Sequence, residues 1–226
     1  DAATGDFSGD VDIDGTLEAD AYTLEGSAFI KVAGTNFTNS LLVGHATSGT
    51  LNAAERNTGV GINALDALTS GDKNTAVGYN ALSSNNTGSQ NTAFGTHSLG
   101  NVSSGLSNTS IGMDAGTQIN TGDYNTLLGE QAGFALAGND SNYNLLLGYE
   151  SGENITSGAG NVIIGSVDAG SATGDRQLLI TGYDGTTTTT WIDGDSSGNV
   201  TMPAEIAAAT LDISGAIDID GTANLD

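Results

Sequence analysis

The sequence predicts an all-β chain, a β-solenoid in the form of a parallel β-roll, and three observations carry that prediction. A 17-residue repeat runs through most of the 226 residues. Each repeat holds a glycine at a fixed offset, within a composition that is 34 Gly and one Pro, Pro203. Most units carry two glycine breaks, between which a helix of about 11 residues does not fit.

The repeat is read from its Asn-to-Gly segments: Asn57–Gly61, Asn74–Gly78, Asn91–Gly95, Asn108–Gly112, Asn125–Gly129, Asn144–Gly148 and Asn161–Gly165. Consecutive Asn positions are 17 apart, except for a step of 19 between Asn125 and Asn144, which places a two-residue insertion near Phe134 to Tyr143. One period before Asn57 lies Ser40, followed by Leu-Leu-Val-Gly44, and one period after Asn161 lies Leu178, followed by Leu-Ile-Thr-Gly182. Nine register-matched units over 40–182 are expected, stacked about 4.8 Å apart into a rod section of roughly 40 Å. A glycine at a fixed place signals a backbone angle other residues avoid, or a close approach of another chain. A second glycine often stands three before the Asn (Gly71, Gly88, Gly105, Gly122, Gly158), and two breaks per unit predict two short extended segments.

The side chains divide by period-2 alternation. The residue before each Gly is large and apolar (Val43, Val60, Val77, Phe94, Ile111, Leu128, Leu147, Ile164) and is assigned to the inside. The residue before that is small in the middle units (Gly59, Ala76, Ala93, Ser110) and large later (Leu127, Leu146, Ile163). On this assignment it faces outward, and Leu146 and Ile163 need a cover, for which other copies of the chain are the simplest candidate. The Asn column is expected to form an amide ladder along the stack, with a Thr column (Thr58, Thr75, Thr92, Thr109, Thr126) beside it. Flat threonine arrays can bind ice, but each unit offers one Thr and no Thr-x-Thr pair, so the column is taken as structural.

The flanks differ in composition. Residues 1–39 form an acidic β flank with eight acids and one base, and residues 183–226 a second with eight acids and no base. The repeat at 40–182 has eleven acids and three bases over 143 residues. Ser8–Thr16 matches Ser214–Thr222, which suggests a further repeat unit of a longer tandem protein or subunits joined head to tail. The absence of Met at Asp1 fits a mature product or an excised piece. Gly182 to Met202 is expected to form a hairpin or a change of strand course, and Ala204 to Ala209 a helical turn.

Chemistry is sparse. A net charge of −23 disfavours nucleic acid and anionic membrane surfaces as partners. No apolar run reaches the roughly 20 residues of a spanning helix. With no Cys, disulfide frameworks and thiolate zinc sites are excluded. Asp10, Asp12 and Asp14 open a D-x-D-x-D-G pattern, and Asp193 with Asp195 resembles it, but Ala21 and Ala204 stand where a calcium loop needs its Glu. No cofactor or metal is therefore assigned, with calcium at these aspartates the one weak alternative. His45 and His97 follow repeat glycines at positions other units fill with unrelated residues, so they are taken as surface substitutions. Glu130, Glu150, Glu153 and Asp114 approach one another along the stack, but paired-carboxylate hydrolysis also needs a cleft with aromatic platforms, and the chain has one Trp. No catalytic or cofactor-binding residue is assigned, and no enzyme is expected.

Asn74–Leu82 and Asn91–Leu99 resemble repeats of bacteriophage tail-fibre proteins, and the Ala-Val-Gly-x-x-Ala core is similar to the head repeat of trimeric autotransporter adhesins, whose unit is nearer 14 residues. Gly9–Asp20 and Trp191–Val200 look like segments of structural proteins of marine phages. The resemblance implies a homotrimeric parallel β-roll in an elongated fibre for host attachment, located on a virion tail or a cell surface. A bacterial adhesin or self-assembling extracellular filament shares that fold and is the alternative, with a glycan-degrading spike behind it. Recognition is expected at coil edges such as Tyr79, His97 and Tyr149, or in a domain outside this sequence.

Overall fold

The computed structural model describes residues 22–24, 27–34, 37–44 and 52–203, with side chains from 38 onward. The described residues are all β, with no helix. Strands β1 (Tyr22–Leu24), β2 (Ser27–Gly34) and β3 (Phe37–Val43) form an antiparallel meander. From β3 the sheet becomes parallel and gains one strand per coil. These are β5 (Thr58–Val60), β6 (Thr75–Val77), β7 (Thr92–Phe94), β8 (Thr109–Ile111), β9 (Thr126–Leu128), β10 (Leu145–Leu147), β11 (Val162–Ile164) and β12 (Leu178–Tyr183). The two-residue β4 (Ala54–Glu55) pairs only with β3. Beyond β12 the course reverses: β13 (Thr188–Gly194) and β14 (Val200–Thr201) pair antiparallel. The expected hairpin is present, whereas Ser8–Thr16, Ser214–Thr222, the calcium-like Asp10, Asp12 and Asp14, His45 and Ala204–Ala209 lie outside the described residues.

Nine parallel rungs enclose about eight turns. The pairing Leu41↔Thr58 confirms the register through Ser40. At the other end the step is 16, because Val162 pairs with Leu178 and the Asn place falls on Gln177. Thr181, not Gly182, then follows Gly165 in the glycine column. The two-residue insertion is absorbed in an extra turn closed by Ser141 N–H donating to the Gly138 carbonyl, and β9 and β10 keep register across it.

Each coil contains one extended segment, not two. The remainder is a chain of tight turns, such as those closed by Ala81 N–H on Gly78 O and Asn85 N–H on Leu82 O. Left-handed residues recur there, with Asn80, Leu82 and Gln90 at φ of 55°, 49° and 63° in one coil. The glycine column is set by both conformation and space. Gly61 to Gly165 have φ between 126° and 141°, and a Cβ on Gly78 would stand 2.5 Å from the Gly95 carbonyl oxygen. The second column is set by space alone: a Cβ on Gly105 would lie 2.5 Å from the Gly122 carbonyl oxygen.

The inside and outside of the coil are the reverse of the sequence expectation. The middle residue of each strand points inward, and Gly59, Ala76, Ala93, Ser110, Leu127, Leu146 and Ile163 are buried in their own chain. They are therefore not available to a neighbouring copy. The residue before each glycine points outward: Val60, Phe94, Ile111, Leu128 and Ile164 are exposed, Val77 and Leu147 half-buried. A three-residue strand between two corners that bend the same way can turn only its central side chain inward.

The size change in the middle position then follows from packing across a narrow interior. Six residues on stands a partner in the turn wall. Where the strand carries Gly59, Ala76 or Ala93, the wall carries buried Leu65, Leu82 or Leu99. Where the strand carries Leu127 or Leu146, the wall carries Gly133 or Gly152. At the crossover both are small, Ser110 and Gly116, and the space is filled from adjoining coils. A Cβ at Gly116 would meet Leu127 Cδ1 at 2.5 Å and Leu99 Cδ2 at 3.0 Å. Away from the crossover, one leucine-sized group per coil fills this strand-to-wall contact, beside a second buried column of Leu68, Val102, Ile119, Leu136 and Ile155.

Candidate interaction surface

The Asn ladder is internal. Asn74 donates its backbone N–H and Nδ2 to Asn57 Oδ1 at 2.9 and 3.1 Å, and Nδ2 also donates to Gly88 O at 2.9 Å. The same set recurs at Asn108, Asn125, Asn144 and Asn161. Ser40 Oγ begins the ladder by accepting from Asn57 N–H, and Gln177 ends it by donating N–H and Nε2 to Asn161 Oδ1. These amides are buried with their hydrogen bonds made, the condition under which polar groups are tolerated in a core. They hold successive coils together.

What faces out is the sheet surface. Two columns lie on it, one of Thr58, Thr75, Thr92, Thr109 and Thr126 continuing as Leu145 and Val162, the other of Val60, Val77, Phe94, Ile111, Leu128, Leu147 and Ile164. Just past the glycine corner stands a third row, Ile62, Tyr79, Met113 and Tyr149 among others. Phe94 is 56% exposed and Ile62 60%. None of the parallel strands β5 to β11 carries a charged residue, in a chain of net charge −23. Seven rungs at about 4.8 Å give a row about 34 Å long, apolar throughout in the Val60-to-Ile164 column and threonine-lined beside it until Leu145 and Val162 widen it. A continuous exposed apolar stripe of this kind is a candidate interaction surface. Sequence reasoning placed this band inside. The pairing of small strand residues with leucines six positions later was the available signal for the true orientation.

The other candidates fall elsewhere. His97 approaches Asp114 one coil on, Nδ1 to Oδ1 3.2 Å, and packs edge-on against Tyr79 at 5.4 Å between ring centroids. Glu150, Glu153 and Asp168 border an open depression of about 330 Å³ with Ser166, Val167 and Thr188. Desolvation first, then the charges of Glu150 and Asp168, holds the Glu153 carboxyl above its ordinary range. The neighbouring Tyr149 hydroxyl is pushed up to about 12, chiefly by its hydrogen bond to Glu150 and by that carboxylate's charge. Glu130 adds to the same field, whereas Asp114 pairs with His97. The depression gathers negative charge and presents no nucleophile paired with a base.

Asp195 is committed to its own turn. Its carboxylate accepts from Ser197 N–H at 2.8 Å, Asn199 N–H at 3.0 Å and Asn199 Nδ2 at 2.7 Å, which lowers its pKa, with the Asn199 bonds foremost. Asp193 lies exposed on β13. Among the described residues no group of three or more His, Cys, Asp or Glu is placed to hold a metal ion, and no helix is long and apolar enough to cross a membrane.

Comparisons with protein-family models, with curated proteins and with solved structures gave no match.

Proposed function

We propose that this chain is a structural segment of a self-associating attachment fibre, of the kind its repeats resemble in phage tail fibres. The observation that carries the reading is the uncharged apolar band along one face of a β-solenoid. Exposed as a continuous row, Val60, Phe94, Ile111, Leu128 and Ile164 form an aggregation hazard unless covered. A cover must present apolar ridges at the same rung spacing, and a further copy of the chain does so by construction. Three copies around an axis, each turning its band inward, would leave the turn walls and the acidic depressions outside. Negative charge on that outer surface keeps fibres apart from one another and from like-charged surfaces. Coils can be added without a new design, which suits a spacer that carries a recognition element away from a particle or cell. Such a rod turns over no substrate.

Sedimentation equilibrium tests the assembly. The expected mass is three times the 22.5 kDa of one chain. Replacing Phe94 and Ile111 by Asp alters exposed side chains, so the coil should fold while the oligomer dissociates. A folded monomer at micromolar concentration, or an assembly indifferent to these substitutions, would overturn the reading.

A further inference from the structure

The solitary tryptophan of the chain is spent on the surface. Trp191 is 55% exposed and Tyr183 52%, both on the hairpin that leaves the last rung. The pairing of β12 with β13 shows how this arises. Ile180 opposes Ile192 but Thr181 opposes Thr190, so Trp191 is the extra residue of a β-bulge. Bulges re-aim a side chain, and here the benzene ring of the indole is laid on Gly182. Any Cβ at 182 would stand 2.7 Å from Trp191 Cζ2 and 2.9 Å from Cη2. Thr181 occupies the place that follows Gly165 in the corner column, so Gly182 and Tyr183 extend beyond the corner at which the other rungs turn.

The indole borders an open cavity of about 330 Å³, lined by Gly182, Tyr183, Asp184, Thr187, Thr189 and Trp191. Asp184 is fixed in it. Its Oδ1 accepts from Thr186 N–H at 2.9 Å, Thr187 N–H at 2.8 Å and Thr186 Oγ1 at 2.8 Å, and these bonds, Thr187 N–H first, hold the carboxyl below its ordinary range. Oδ2 has no hydrogen-bond partner among the described residues. The lining thus combines aromatic surface, a rigid ionised carboxylate and threonine hydroxyls that both donate and accept, without Lys, Arg or His.

We propose that this cavity binds a neutral sugar residue, whose C–H face stacks on Trp191 while adjacent hydroxyls bond to Asp184 and the threonines. An apolar platform with a few fixed polar groups is the ordinary make-up of a small-molecule site. A methylated ammonium would also be drawn to the indole, to Tyr183 and to the carboxylate, but the threonine hydroxyls would be left idle. An anionic sugar would meet Asp184 with no cation to offset it. The inference rests on the hairpin and holds whether or not copies assemble.

As the chain's one tryptophan, Trp191 reports occupancy by its own emission. The full chain is titrated with methyl β-D-galactopyranoside, methyl β-D-glucopyranoside and methyl α-D-mannopyranoside, and in parallel with D-glucuronate and choline. A saturable emission change is expected with at least one neutral glycoside at millimolar concentration, and none with the other two probes. Saturation-transfer NMR should show the same glycoside contacting the parent, held at least tenfold more weakly by Asp184→Asn and lost in Trp191→Ala. Trp191→Phe should keep part of the affinity, and circular dichroism of each variant should match the parent. No saturation with any neutral glycoside, undiminished binding by a folded Trp191→Ala chain, or a response to choline or glucuronate equal to that of the sugars would overturn the proposal.

Discussion

Exchanging the leucine of one coil between strand and wall tests the packing rule of the interior. In the coil that holds β6, Ala76 and Leu82 are both fully buried, and Leu82 has φ of 49°. Leu82→Gly alone removes a buried leucine, a loss of about 4 kcal/mol for the cavity. Relief of the left-handed strain returns about 1 kcal/mol, leaving a net loss of about 3 kcal/mol. Ala76→Leu alone adds three carbons to a filled interior and costs about 2 kcal/mol. The double variant restores the arrangement of the coil that pairs Leu146 with Gly152, whose φ is 57°. It should lie within about 1 kcal/mol of the parent, so the two changes couple by about 4 kcal/mol, beyond what contacting residues commonly show. Thermal unfolding followed by circular dichroism reads this directly. Each kcal/mol shifts Tm by about 2–4 °C at this chain length, so the singles fall by about 4–12 °C and the double returns to within about 4 °C. A double variant that shows the sum of the single losses would refute the reasoning, because strand and wall would then not share one space.

Two further outcomes follow from local polar groups. Asn85 occupies the buried column otherwise held by Leu68, Val102, Ile119, Leu136 and Ile155, and its Oδ1 has no partner. Asn85→Val removes that cost of about 1–3 kcal/mol, while Gly88 O keeps its bond from Asn74 Nδ2. A gain of about 2 kcal/mol in denaturant unfolding is expected, and unchanged or lower stability would show the amide to be satisfied. Tyr149 should ionise near pH 12 by phenolate absorbance, and Glu150→Gln should bring it back toward 10.0. Because the folded value is raised, any stability tied to this group is complete below pH 10.0 and lost as pH rises through about 12. Identical titration of Tyr149 in parent and variant would remove Glu150 as the cause.

The sequence by itself determined the period, the ladder and the rung register as far as Asn161, while the last step, 16 residues to Gln177, did not show in the 17-residue count. Asn is small enough for a corner and has both donors and acceptors, so Asn57 to Asn161 at constant spacing leave little but stacking along an axis. Glycine at 61 to 165 marks where consecutive coils touch through backbone, a constraint that is local and so legible. The hairpin after Gly182 was also visible, since Thr186 to Thr190 cannot continue the pattern. What only the tertiary structure decided was direction. Alternation says that neighbours along a strand face opposite ways, but not which way is in, and a three-residue strand gives it no length over which to average. Size misled, because the interior is shared between strand and wall: Ala76 is small for the reason that Leu82 is opposite, and neither residue states this alone. The exchange at Ser110 and Gly116, the emergence of Phe94 and Ile111 on the outer face, and the bulge that lays Trp191 over Gly182 depend on which atoms lie across the coil or on the next strand. Period is a property of the chain, and handing each side chain to one face is a property of the closed coil.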